Sequence, residues 1–203
     1  AADLADRMAE SYGDFDPSGW EPPDHWLPAT TVPLRHPLRV VPTPGHTRGH
    51  VVYVDESRGL MFSGDHVLPR ITPSIGFELG EPGRPLRDYL DSLALVTTLP
   101  DTRLLPAHGP TTPSTHTRVK ELLAHHDNRL AEAENALTTG AHDGHSIASH
   151  LTWTNRSVRF EDLNDFNQML AVNETIAHLD VLVDRNRANL SEVNGVAHYT
   201  PPN

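Results

Sequence analysis

The sequence predicts an α/β chain in two parts. Three observations carry this: short β-branched or aliphatic runs bounded by turn residues up to about residue 106, one amphipathic helix among them, and a change to long helical periodicity from about residue 115. The first part spans 1–114 and the second 115–203. A length of 203 residues suits one large domain or a medium domain with a small one, and is enough to bury a sizeable core.

Residues 1–9 read as a short helix. Residues 13–37 are rich in Pro, Asp and Trp and read as a loop, with a lid at about 10–35. Trp20 and Trp26 are its aromatic anchors; packing on the core and facing a substrate are both open to them. Strands follow at 38–41, 50–54, 60–64 and 103–106, and the turn at 55–59 joins the second and third as a hairpin. Between the third and fourth strands, Leu86, Tyr89, Leu90 and Leu93 fall at i, i+3, i+4 and i+7. They give a helix at about 85–98, with Pro85 suited to its first turn.

In the second part, Val119, Leu122, Leu123, His126, Leu130, Ala133 and Leu137 line one face of a long helix that starts near 115. Gly140 is a C-cap candidate. A short helix at about 145–152 takes Asp143 as N-cap. A third helix, about 161–186, carries Leu163, Phe166, Leu170 and Ile176. Strands at 189–191 and 196–199 flank Asn194-Gly195, a strong hairpin turn. Helix, helix, helix, hairpin is the order of a winged helix.

Composition narrows the function classes. Hydrophobic residues make up 37% and charged residues 21%, which favours a globular chain over a disordered one. The formal net charge of -11 disfavours general binding to nucleic acid or anionic membranes. No apolar run reaches the ~20 residues of a membrane span. Asp3, Asp6 and Glu10 interrupt the start, so it does not read as a signal peptide. Cys is absent, which removes disulfides and thiolate metal sites and fits a cytoplasmic setting. A metal must then be held by carboxylates and by some of the 14 His.

Three loops, each after a strand, offer such ligands: Thr43-Pro44-Gly45-His46-Thr47-Arg48-Gly49-His50, Ser63-Gly64-Asp65-His66, and Leu105-Pro106-Ala107-His108-Gly109-Pro110. Rigid strand ends fix the ligands while the loops present them. Imidazole nitrogen and carboxylate oxygen suit Zn²⁺, and also Fe or Mn. A carboxylate bridges two ions when each oxygen binds one. Any one of these loops is a weak signal; the three in this order are much more specific.

Pro44-Gly45-His46-Thr47-x-Gly49-His50 resembles the third metal motif of the metallo-β-lactamase superfamily, Phe62-Ser63-Gly64-Asp65 its fourth, and Leu105-Pro106-Ala107-His108-Gly109 its fifth. The resemblance covers roughly 38–203 and points to a branch with a winged-helix-like C-terminal domain. It implies the C-terminal half of an αββα sandwich and two metal ions per intact site, zinc first. His46 then binds one ion, His108 the other, and Asp65 bridges both as the catalytic carboxylate. His50 would orient a ligand or brace its loop. His66 would contact substrate or metal-bound water, or pack in the core.

The resemblance implies hydrolysis, with a metal-activated hydroxide attacking an ester, thioester, lactone or amide of a small molecule. Residues 70–75 and the lid would shape the pocket. The alternative is an endoribonuclease-like nucleic-acid hydrolase using the winged helix. Against it, residues 115–203 hold twelve Asp and Glu and seven Lys and Arg, where phosphate tracking calls for a basic face. The family's His-x-His-x-Asp-His motif does not occur in the chain. Ala141-His142-Asp143-Gly144-His145 has similar letters but reads as a helix-capping turn. The expectation is therefore a truncated piece of a longer hydrolase, giving each metal two protein ligands. A half sandwich exposes apolar surface and strand edges, which favours a homo-oligomer.

Overall fold

The computed structural model describes residues 37–78, 83–154 and 156–202, together with residue 21 and the pair 31–32. The expected helix at 1–9, Trp20, Trp26 and most of the lid lie outside the described residues. Five strands form one sheet in sequence order: β1 (Thr31–Val32), β2 (Leu38–Pro42), β3 (Val51–Asp55), β4 (Leu60–Gly64) and β5 (Arg103–Pro106). Within the segment expected as a lid, Thr31 pairs opposite Arg39 and Val32 opposite Leu38.

β1 to β4 run antiparallel to their neighbours, while β4 and β5 are parallel. A parallel pair needs a crossover, and α1 (Pro85–Thr98) supplies it, with Pro85 in the first turn as expected. Its residues Leu86, Tyr89, Leu90, Leu93 and Val96 are all buried. They meet Val41, Val52, Val54, Met61 and Leu104 of the sheet in one core. Each such side chain contributes about 1.5–3 kcal/mol of burial.

The helix approaches the loop after β2 very closely. A Cβ built on Gly45 would lie 2.4 Å from the Tyr89 Cβ, and the Gly45 φ of +140° already excludes most side chains. Ser92 fastens the contact by donating its hydroxyl to the Pro44 carbonyl at 2.8 Å.

The second part contains α2 (Thr115–Thr138), α3 (Gly144–His150), a small ladder of β6 (Thr152–Trp153) and β7 (Val158–Arg159), α4 (Asp165–Asp184), and a hairpin of β8 (Asn189–Val193) and β9 (Val196–Thr200). Ser114 caps α2 by accepting from the Thr117 amide. Gly140, with φ +94°, follows its end. Asp143 caps α3 through the amides of His145 and Ser146, and Ser146 completes a capping box, so Ala141 to His145 is a capping turn.

The expected third helix is corrected. It begins at Asp165, capped by Asn164, and residues 160–162 form a 3-10 turn instead. Its buried face is Ala171, Thr175, His178, Leu179 and Leu182, whereas Phe166 is 36% exposed. Small residues and a histidine let α4 sit close to α2, and Phe166 at its start is left on the surface. The short β6–β7 ladder has no counterpart in the sequence pattern; two-residue strands leave no periodicity to read. One buried cluster runs from Val41 through α1 and α2 to Leu182 and Tyr199, so the two parts share a core. Among the described residues no helix is long and apolar enough to cross a membrane.

Replacing Gly45 by Ala is expected to destabilise the protein by about 3 kcal/mol, because α1 must retreat from its seat; an unchanged urea midpoint would contradict this. The hairpin turn gives a pH prediction. The Ser57 hydroxyl, then the Arg58 guanidinium, lower the Asp55 carboxyl from the ordinary 3.8 to about 2. A depressed folded value means stability that is present above about pH 4 and lost as pH falls toward 2. Asp55→Asn should flatten the acid limb of a stability-versus-pH curve in that window.

Candidate metal centre

His46, Asp65 and His108 come together at one end of the sheet. The parallel pairing of β4 and β5 explains how. Asp65 follows β4, His108 lies two residues beyond β5, and the Ala107 amide donates to the Gly64 carbonyl at 3.0 Å, carrying the ladder past the strand ends. His46 arrives from the turn between β2 and β3, closed by the Thr43 amide donating to the His50 carbonyl at 2.8 Å.

The Asp65 carboxylate lies between the two histidines. His108 Nε2 is 3.3 Å from its Oδ1, and His46 Nε2 is 4.0 Å from its Oδ2. Each oxygen thus faces a different imidazole. Among the described residues no set of three or more His, Asp or Glu side chains closes around a single point. The three residues form two pairs that share a carboxylate.

The orientation of His46 is set from behind. Its Nδ1 lies 2.8 Å from the Ser74 carbonyl. A carbonyl only accepts, so Nδ1 carries the proton and Nε2 presents a lone pair toward Asp65. His50 is committed differently. The Asp65 amide donates to its Nε2 at 3.2 Å, so its proton sits on Nδ1 and is donated to the Thr43 hydroxyl at 2.9 Å. Neither nitrogen is left for a metal, and His50 braces the loop that carries Asp65. Burial and then the neighbouring His46 hold it below the ordinary histidine value, against the pull of Asp65. Gly64 permits the approach: a Cβ there would fall 2.7 Å from His50 Nε2.

His66 is fully buried and packs edge-on against Tyr89 at 5.1 Å between ring centroids. Burial lowers its pKa to about 3, so it is neutral. The Tyr89 hydroxyl donates to the His66 carbonyl at 2.8 Å. The support from Thr43, the Ser74 carbonyl and the Tyr89 hydroxyl is not legible in the sequence. The hydroxyls of Tyr89 and Ser92 on the otherwise apolar face of α1 are the available signal.

A cavity of about 230 Å³ opens beside His46, bounded by Arg48, Glu78, Arg84 and Asp88, and by Asn173 and Asp180 of α4. Of the segment 70–75, Ser74 serves this site by holding His46. Arg70, Ile71 and Thr72 line a different cavity.

The donor set fits a metal. Two ligands about 2 Å from one tetrahedral ion lie about 3.3 Å apart, which is the separation of His108 and Asp65, while His46 and Asp65 stand at 4.0 Å. The Nε2 of His46 is the unprotonated nitrogen that a metal requires.

A model of the metallo-beta-lactamase superfamily matches residues 7–108. Among curated proteins, the chain is 26% identical over 147 residues to a probable metallo-hydrolase, YqjP, of Bacillus subtilis (strain 168), covering 70% of this chain and 44% of that protein. It is 36% identical over 96 residues to a beta-lactamase-like protein 2 homolog of Caenorhabditis elegans, covering 47% and 30%. Among solved structures it is similar to a beta-lactamase domain protein from Burkholderia ambifaria, with TM-score 0.74 and 28% identity over 99% of this chain and 60% of that one. A metallo-beta-lactamase family protein from Thermus thermophilus shares the fold at TM-score 0.72 and 24% identity, over 98% and 64%. The chain spans less than half the length of these curated relatives and less than two thirds of these solved chains.

Thr43→Val keeps the shape but strips the acceptor from His50 Nδ1. It should cost about 1–3 kcal/mol and shift the Asp65 amide resonance in an NMR spectrum. An unmoved resonance would mean that the brace is not built this way.

Proposed function

This chain belongs to the metallo-beta-lactamase superfamily, and we propose that it forms part of a metal-dependent hydrolase acting on an ester, thioester, lactone or amide of a small molecule. The observation that carries the reading is the Asp65 carboxylate between two histidines, one oxygen toward each. His46 and Asp65 would hold one ion, Asp65 and His108 a second, with zinc the leading choice and iron or manganese the alternatives. Ions held there supply Lewis acidity, which lowers the pKa of a water and polarises a carbonyl.

The chain's own residues do the positioning. Ser74 keeps the His46 proton on the nitrogen away from Asp65. His50, through the Asp65 backbone, and the Gly64–Ala107 link keep the carboxylate in place. The cavity beside His46 would take the substrate. Its cations are already balanced: Arg48 pairs with Glu78, and Arg84 with Asp180 and Asp184. A small substrate of low charge suits such a wall better than a polyanion, which weighs against the nucleic-acid reading. Two ligands from this chain per ion fall short of the three usual for a catalytic zinc. The remainder is assigned to the family motif that this sequence does not contain.

The test is elemental analysis of the full-length protein together with its hydrolysis of a panel of p-nitrophenyl esters, thioesters and lactones. Close to two ions per chain are expected, with turnover that chelation abolishes. Asp65→Asn should lower metal content and reduce turnover at least ~100-fold, since it affects both ions. Full turnover in a metal-free sample would overturn the reading.

A further inference from the structure

A second cavity, of about 460 Å³, lies between the loop at 70–72, α2 and the β6 region, and shares no lining residue with the one beside His46. Three arginines, Arg70, Arg118 and Arg129, line it in a chain whose formal net charge is -11. Arg118 is spent on structure: it holds the Leu68 and Ile71 carbonyls and pairs with Glu121.

Arg129 is the informative one. Only 9% of it is exposed, and its guanidinium is fixed over the Trp153 ring at 4.4 Å. Nη1 donates to Glu132 and to the Thr152 carbonyl. Nε and Nη2 have no acceptor among the described residues, yet they are not sealed from solvent. This leaves one edge of a rigid fork, with three N–H groups, open to an acceptor. Such an edge matches the oxygens of a phosphate or carboxylate, and its fixed geometry reduces the ordering cost of binding.

Glu174 of α4 lines the same cavity. Its carboxyl forms no hydrogen bond or ion pair among the described residues, and Arg129 does not close on it. Burial raises its pKa despite the pull of Arg129. A partner that accepts from Arg129 and shares a proton with Glu174 would satisfy both groups, and a phosphate monoester has both kinds of oxygen. Asn128, exposed on the preceding turn position of α2, adds an amide at the rim.

We propose that this cavity is a binding site for the phosphate group of a small molecule, separate from the substrate at the metal centre. Arg129 is its fixed anchor, Arg70 and Asn128 flank it, and Glu174 faces it. The site stands whether or not the metal-centre reading holds.

The experiment is a titration of the full-length holoprotein with inorganic phosphate, followed by calorimetry, for the wild type, Arg129→Gln, Asn128→Asp and Asp65→Asn. The wild type and Asp65→Asn should each keep a saturable site. Arg129→Gln and Asn128→Asp should weaken it at least tenfold. Asn128 is on the surface, so its variant keeps the fold even where loss of Arg129 does not. A site lost in Asp65→Asn but intact in Asn128→Asp would place the phosphate at the metal centre and overturn the proposal. Absence of saturable binding in Asp65→Asn would do the same.

Discussion

The close approach of α1 to the loop after β2 is the constraint on which the site depends. Tyr89 lies against Gly45 with no room for even a methyl group. From that seat its hydroxyl reaches the His66 carbonyl, and its ring packs between His66 and His126 of α2, at 5.1 and 5.4 Å. One residue thereby locks the loop of His46, the loop of Asp65 and the helical part to one another. Interiors packed this densely transmit displacement rather than absorb it, so the loops of His46 and Asp65 are coupled to α2.

Beyond Tyr89 the row of rings continues into α4. His178 donates its Nδ1 proton to the Glu174 carbonyl at 2.7 Å, so its Nε2 accepts from His126 Nδ1 at 3.1 Å. Burial, the first cause for each, lowers the two pKa values to about 4 and about 2, and both rings are neutral. A polar pair replaces what would ordinarily be aliphatic packing between α2 and α4. The ion pairs of Arg84 and Arg87 with Asp180 and Asp184 join the start of α1 to the same helix, α4. They are partly exposed and worth at most about 1 kcal/mol each, so apolar burial is the main hold on α4.

Much of this was legible in the residues. The strands at 38–41, 60–64 and 103–106 are short aliphatic or β-branched runs bounded by turn residues and the helix at 85–98 has a period of 3.6, and each stands within a residue or two of its expected place. His46, Asp65 and His108 converge because each follows a strand of one sheet. What could not be read is what side-chain patterns do not encode. The Ser74 carbonyl that orients His46 belongs to the backbone. β1 has two residues beside prolines. The packing face of α4 mixes Ala171, Thr175 and His178 with Leu179 and Leu182, while Phe166, which the hydrophobic pattern singles out, is not on it. His66 shares its surroundings in sequence with Asp65, but the turn closed by its amide on the Ser63 carbonyl puts its ring in the core.

The spacing between Asp65 and His108 is governed by a backbone ladder and not by the chain that joins them. The Gly64 carbonyl and the Ala107 amide are neighbours across a sheet although more than forty residues separate them in sequence. Closing a longer loop costs little more, about 0.6 kcal/mol for each doubling of length. A change of length in the connection therefore leaves the separation of Asp65 and His108 to the ladder, whereas the orientation of His46 depends on the connection itself, through the Ser74 carbonyl.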